Sequence, residues 1–445
     1  VSRKLFLRYH VDGFGEPVLR TRLLQSGKRV YNLSPELAMG RMELIDSQLG
    51  MALIDGIQIS HRLTESIDTA RSLALESAVL DQDESSRAKA AVFADRSLAI
   101  SVPAGEELAL EIAKWKITHH DKTGVLFGCN YFKAGNDRLG LFSQAFNFAT
   151  LPFYLKGMEP EPGRVSHKPV FDVARELKRH NIALKGHPLV WTFSEHLPDH
   201  RLGMDYTTCL NVFRDRILRD VPPFNGLIEY WDVINEAHTV PWTNPSGYTL
   251  NQFIDLSGMA AETCRRAAPE AKTVINVCLP FGEYAAGCSG RMTPLEYIRA
   301  CIGSGIDFDV IGVQFYYGSG LMQYSWDMLE ISGILDEFCS FGKEVHITEL
   351  GTPSAMGPDP NAVIKQGNEV GLWHNEWNEQ TQADWVEQFY TICLSKPEIK
   401  GITWWDFQDK KGIFWPHGGL IHENGKPKES YARLLAVKSR IGQQA

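Results

Sequence analysis

The chain has 445 residues, of which 44% are apolar and 22% charged, with a formal net charge of −9. That is room for one large domain and a smaller module around a sizeable core. The acidic balance and the lack of Lys/Arg runs exclude a nucleic-acid surface, and no apolar run is long enough to span a bilayer. The eight Cys all follow residue 128 and form no C-x-x-C pair, which argues against zinc and redox motifs and predicts buried thiols. The 11 Trp suit stacking on the apolar face of a sugar ring.

Residues 1–118 contain short alternating segments at 4–8, 50–54, 97–102 and 108–112. Turn signals, Asp12-Gly13 and Pro103-Ala104-Gly105, separate them. Several short strands with such turns predict a small β-rich, sandwich-like domain, with one helix over 69–80 and a polar loop at 81–86. Its expected role is either a carbohydrate-binding module or a structural one, and its poverty in Trp favours the second.

From residue 119 to 445 strand-like and helix-like patterns alternate. Strands are expected at 124–130, 146–151, 183–191, 227–235, 273–279, 308–317, 344–350 and 401–407. Amphipathic helices are expected at 168–179, 207–218, 250–267, 293–304, 325–341, 379–394 and 429–441, with the weakest helical pattern at 133–143. Eight strands with intervening helices predict a (β/α)₈ TIM barrel. An open doubly wound sheet would want a Gly-rich phosphate loop after its first strand, and Gly128-Cys129-Asn130 is not one.

Polar and aromatic residues collect where these strands end: His187 to Trp191, Asn235-Glu236, Gln314-Phe315-Tyr316, Glu349, and Trp404-Trp405-Asp406. In a barrel such ends converge on one rim, however far apart they lie in sequence. Glu236 and Glu349 each close an apolar strand, four and seven, and together have the makings of a glycosidase pair. Cleaving a glycoside needs an acid that is still protonated near neutral pH and a carboxylate beneath the anomeric carbon. In retaining enzymes the two stand ~5–5.5 Å apart. Two neighbouring glutamates also raise each other's cost of ionising, which keeps one protonated. No metal-ligand cluster or cofactor motif is present, and this chemistry requires none.

The stretches Lys185-Gly186-His187-Pro188-Leu189-Val190-Trp191, Trp231-Asp232-Val233-Ile234-Asn235-Glu236-Ala237, Ile347-Thr348-Glu349-Leu350 and Gly401-Ile402-Thr403-Trp404-Trp405 resemble glycoside hydrolase family 10, the retaining β-1,4-xylanases. The resemblance covers most of 124–440 and none of the N-terminal region. It implies a double-displacement glycosidase acting on an oligo- or polysaccharide, with Glu236 as acid/base and Glu349 as nucleophile. It also implies that Asn235 holds the sugar 2-hydroxyl, that His187, Lys156 and Gln314 line the same subsite, and that Trp191, Trp405 and Trp415 form aromatic walls. A polymeric substrate in turn implies a secreted or periplasmic protein whose leader is not part of this chain.

The match departs from the family where substrate is read. Pro152-Phe153 stands in place of the usual Glu-Asn pair, Thr192 and Tyr316 in place of His, and Asp406 in place of Gly. Tyr316 can still donate to a carboxylate, and Asp406 is expected to meet sugar hydroxyls or narrow the cleft. The long segment 351–378, with Trp373, His374 and Trp377, is expected to cover the cleft. Alternatives to an endo-xylanase are a related retaining enzyme for a glucan, mannan, galactan or substituted β-glycan, and a sugar-binding protein that has lost catalysis. The sequence fixes no oligomeric state.

Overall fold

A computed structural model describes residues 3–27, 30–119, 124–132, 138–238, 241–286, 288, 290–319, 324–364 and 371–442. The chain opens with two short antiparallel strands, β1 (Phe6–Arg8) and β2 (Val18–Arg20). Three long helices follow: α1 (Leu33–Ile54), α2 (His61–Leu80) and α3 (Arg87–His119). The sandwich expected over residues 1–118 is therefore corrected to a helical layer. The segments at 50–54, 97–102 and 108–112 lie inside helices, whereas the strand around 6–8, the Asp12-Gly13 turn, the helix over 69–80 and the polar loop at 81–86 match expectation. The error lies in window length. Ser97 to Val102 alternates over six residues, but most buried positions of α3 (Ala90, Ala94, Ser97, Leu98, Ser101, Val102, Gly105, Leu108, Ala109, Ala113) recur every three or four, with Ala104 and Glu106 buried beside them. Only a window of several turns shows that period.

Pro103 sits inside α3 and was read as a turn. A helix-interior Pro withholds an N–H and disturbs the carbonyls of the preceding turn. Here the Arg41 guanidinium, from α1, donates to the Ser101 and Val102 carbonyls at 3.3 and 2.9 Å. Gly105 leaves room for it, since a Cβ there would stand 2.2 Å from Arg41 Nη2.

The barrel follows: β3 (Leu126–Asn130), α4 (Leu139–Ala145), β4 (Phe148–Pro152), α5 (Leu155–Met158), α6 (Lys168–Arg179), β5 (Ala183–His187), α7 (Tyr206–Asp220) and β6 (Tyr230–Asn235). It continues with α8 (Leu250–Ala267), β7 (Lys272–Val277), α9 (Pro294–Gly303), β8 (Val310–Tyr316), α10 (Met328–Cys339), β9 (Glu344–Gly351), α11 (Glu379–Leu394), β10 (Ile399–Trp404) and α12 (Glu429–Gly442). The eight parallel strands β3 to β10 pair in chain order, and β10 closes on β3. Of the weak 133–143 crossover, residues 133–137 lie outside the described residues and the rest enters α4. Large rings fill the barrel where neighbours are small: a Cβ on Gly186 would stand 2.3 Å from the Trp231 ring. Seven Cys are buried, Cys288 is exposed, and none is disulfide-bonded among the described residues.

The helical layer is joined to the barrel by polar as well as apolar contacts. α3 packs on α10 and α11, and Arg41 Nη1 lies 2.9 Å from Asp327 Oδ2, with the two side chains 2% and 0% exposed. The other Asp327 oxygen caps α10, accepting from Leu329 N at 2.9 Å. The buried Glu106 carboxylate accepts from Met328 N, Trp373 Nε1 and His374 Nε2 at 2.9, 2.9 and 2.6 Å. Removing one member of a buried ion pair strands the other charge, at a cost of about 3–5 kcal/mol. Arg41→Met is accordingly expected to lower the unfolding free energy by that order, seen as a lower urea midpoint at an unchanged m-value in equilibrium unfolding curves.

Candidate active site

Consecutive residues of a strand ordinarily point to opposite faces. At the top of β6 the backbone breaks that rule. Glu236 takes φ 55°, a left-handed conformation that costs a side-chain-bearing residue energy and is found where a site requires it. Its carboxyl therefore faces the same cavity as the Asn235 amide. Two bonds hold the turn: Glu236 N donates to Asn276 O at 2.8 Å, and the Thr243 hydroxyl donates to Glu236 O at 2.9 Å.

Across the barrel a bulge does the same for β9. The β8–β9 register slips after Val313, so that Gln314 pairs with Glu349, and a bulge re-aims side chains. Thr348 and Glu349, though adjacent, both reach the Asn276 side chain.

Gln314 Nε2 sits between the two carboxyls, 3.1 Å from Glu236 Oε1 and 3.0 Å from Glu349 Oε1. Those oxygens can be no further apart than the two lengths laid end to end, which is less than the ~6.5–9.5 Å of an inverting pair. Glu349 further accepts from Asn276 Nδ2 at 3.1 Å and from the Tyr316 hydroxyl at 2.9 Å. Glu236 further accepts from the Trp242 indole at 2.8 Å. The Trp191 indole N–H faces the same carboxyl beyond hydrogen-bond range. Asn235 Oδ1 accepts from Asn276 at 2.7 Å and Gln314 at 3.3 Å, which turns its Nδ2 donor toward Glu236 and the cleft.

Behind this layer lies a buried charge relay. Asp232 accepts from Lys185 Nζ at 2.9 Å and His187 Nδ1 at 2.6 Å, and His187 Nε2 lies 3.7 Å from Glu349 Oε1. Burial would raise Asp232, but Lys185 and His187 outweigh it and hold the carboxyl below its ordinary range. Burial lowers His187 despite its Asp232 contact, so the ring is neutral. With Nδ1–H given to Asp232, Nε2 is left as an acceptor.

Burial, and next the charge of Glu236, pushes Glu349 up to about 8, and burial raises Glu236 as well. Two carboxyls so raised do not both ionise at neutral pH, so the pair carries one proton. Glu349 accepts three hydrogen bonds from neutral donors and Glu236 two, and the single proton is shared across the pair.

These groups line a cleft of about 830 Å³ that also takes in Trp191, Trp405, Asp406 and Trp415. Of the residues expected at the site, Lys156 alone stands outside its lining, 51% exposed and 3.7 Å from Asp199. Asp406 is on the wall, but its oxygens accept from Phe414 N and Trp415 N at 3.1 and 2.8 Å, so it builds the loop. Thr192 donates to the Thr243 carbonyl, and Phe153 packs its edge on Trp231 in the core, which leaves Pro152 on the wall. Segment 351–378 contributes Val363 and Ile364 to the cleft. Trp373 and Trp377 are buried in the main core instead, and residues 365–370 lie outside the described residues.

Sequence reasoning missed Asn276, Trp242, Tyr154 and the roles of Lys185 and Asp232. Asn276 interrupts an apolar strand just as Asn235 does, which was a usable signal. A lysine and an aspartate inside neighbouring buried strands were another, because a buried charge needs a partner. Trp242 sits in a short turn with no periodicity to betray it.

The comparisons agree with this geometry. Endo-1,4-beta-xylanase B of Thermotoga neapolitana is 23% identical over 341 residues, 73% of this chain and 90% of that protein. Endo-1,4-beta-xylanase B of Neocallimastix patriciarum is 25% identical over 325 residues, 71% of this chain and 34% of that protein. The native xylanase 10B structure from Thermotoga maritima shares the fold at a TM-score of 0.55 and 20% identity, covering 75% of this chain and 99% of that one. The model of glycosyl hydrolase family 10 matches residues 122–437, the whole barrel with both carboxyl-bearing strands, and the chain belongs to that family.

Proposed function

We propose that the chain hydrolyses a β-1,4-linked polysaccharide of the xylan type with retention of configuration, Glu349 acting as nucleophile and Glu236 as acid/base. The observation that carries the reading is the Gln314 amide shared by two buried carboxyls whose other donors differ. Glu349 attacks the anomeric carbon while Glu236 protonates the departing glycosidic oxygen. The resulting glycosyl ester removes the charge on Glu349, and Glu236, having given up its proton, takes one from the attacking water. Asn235 Nδ2 suits the sugar 2-hydroxyl, and His187 Nε2 accepts a neighbouring hydroxyl. Trp191, Trp405 and Trp415 supply stacking faces, and Tyr316 steadies the nucleophile.

Residues 1–118 we read as a structural module and 119–445 as the catalytic unit. The Glu106 and Arg41 contacts support that role over carbohydrate binding. A polymer substrate supports action outside the cytoplasm.

Glu349→Ala is expected to lose several orders of magnitude in kcat on an aryl β-xyloside. Azide should restore turnover and yield the glycosyl azide of opposite anomeric configuration. An azide product of unchanged configuration would assign the nucleophile elsewhere.

The proton on the pair also carries a stability signature. Above the ordinary carboxylate range the unfolded chain gives up a proton that the folded chain keeps. Stability therefore falls as pH rises from about 4.3 toward the value of about 8 reached by Glu349. Glu349→Gln removes that penalty. Its thermal midpoint is expected to exceed the wild type's at pH 8 and to lose most of the advantage at pH 4; an advantage that does not depend on pH would refute the shared-proton account.

A further inference from the structure

A general acid works best when its carboxyl is held at one angle and a fixed donor meets the charge it develops on giving up its proton. Glu236 is held in this way by the loop that follows it. Trp242 and Thr243, adjacent in sequence, take its two ends. The Trp242 indole N–H donates to Oε2 at 2.8 Å, and the Thr243 hydroxyl donates to the Glu236 carbonyl at 2.9 Å. Trp191, the other indole facing this carboxyl, stands beyond hydrogen-bond range. An indole nitrogen only donates, so Trp242 cannot take the proton that Glu236 carries.

The indole is in turn carried by a platform just past β7. Trp242 packs on an apolar cluster of Cys278, Leu279 and Tyr284 that is separate from the main core. His238, fully buried two residues after Glu236, staples that platform to the acid/base loop. Its Nε2 accepts from Cys278 N at 3.0 Å, which leaves the hydrogen on Nδ1, and Nδ1 donates to the Tyr284 hydroxyl oxygen at 2.7 Å. The Tyr284 hydroxyl donates onward to the Met292 carbonyl. Burial brings His238 down to about 3, so the ring stays neutral and the staple stays closed near neutral pH. Among the described residues, Glu349 from β9, Tyr154 from the turn between β4 and α5, and Cys278 face the charge of Glu236. Burial pushes Tyr154 and Cys278 well above their ordinary values, so both stay neutral while the glutamate pair titrates.

We propose that Trp242 is a positioning residue for the acid/base: its indole N–H, fixed by the His238–Tyr284 staple, orients the Glu236 carboxyl and stabilises the charge that develops there as the proton leaves. The inference rests on the retaining-glycosidase reading. A donor that favours ionised Glu236 eases loss of the pair's last proton, and that loss is the basic limb of the kcat/KM profile. Uptake of a second proton, the acid limb, depends on it less.

The test compares the full-length wild type with Trp242→Phe, which keeps a ring on the platform and removes the N–H, on phenyl and 2,4-dinitrophenyl β-xylosides. Dinitrophenolate departs without a proton, whereas phenolate needs one. In Trp242→Phe the basic limb on the phenyl xyloside is expected to move up by about one pH unit. At the optimum, kcat/KM should fall roughly tenfold more on the phenyl than on the dinitrophenyl xyloside. Tyr284→Phe, which opens the staple and leaves the indole, is expected to move the same limb the same way, and it decides the matter if Trp242→Phe does not fold. A basic limb left in place, or equal losses on the two xylosides, overturns this inference and leaves the proposed function standing. A wild type that cleaves neither xyloside overturns the proposed function itself.

Discussion

The structure is governed by the cost of keeping two carboxyl groups side by side out of water. An isolated buried carboxylate is expensive, and two are worse. The chain meets that cost with a single shared proton and a set of neutral amide and hydroxyl donors from β7 and β8. Gln314 spans the pair, Asn276 ties Glu349 to Asn235, and Tyr316 secures the remaining oxygen. Bringing those donors to one place is what the closed barrel accomplishes. It needs the left-handed backbone at Glu236 and the slip in β9 to do so, because a regular strand could not present two neighbouring side chains to one cavity.

Chemistry and recognition are built differently in this cleft. The reacting end is a network of fixed dipoles, backed by the buried Lys185–Asp232–His187 cluster. Among the described residues, the wall beside it is built largely from rings and branched aliphatics, Phe132, Tyr154, Trp405, Phe414, Ile364 and Ile413. A family fold can retain the first while remodelling the second, since the loops after β3, β9 and β10 change without moving the strand ends.

Much of this was legible in the sequence. Helices over 168–179, 250–267 and 379–394 were placed at their observed bounds, because each carries a clean 3.6-residue period and a polar start. Thr249 with Gln252 forms a capping box at the second of these starts, and Thr293 with Glu296 forms another at the head of α9. The carboxyl pair was legible because acids closing apolar strands have few other reasons to be there. What failed did so for physical reasons. Residues 97–112 look strand-like over five or six positions, and Pro103 reads as a breaker unless the Arg41 guanidinium is known to stand beside it. Asp406, expected to meet sugar hydroxyls or narrow the cleft, stands on the cleft wall and accepts from the Phe414 and Trp415 N–H groups, a pairing set by backbone path that the sequence does not reveal. Lys156 stands outside the lining, beside Asp199.

The helical layer bears on where this protein can be cut. The family match begins at residue 122, and a gene designer would take that as the start of a free-standing catalytic fragment. Such a fragment would leave Asp327 without its guanidinium at the head of α10. It would also leave Trp373 and His374 without the Glu106 carboxylate that anchors the far end of the segment bearing Val363 and Ile364. The family match thus stops short of Arg41 and Glu106, whose contacts hold the head of α10 and the segment bearing Val363 and Ile364.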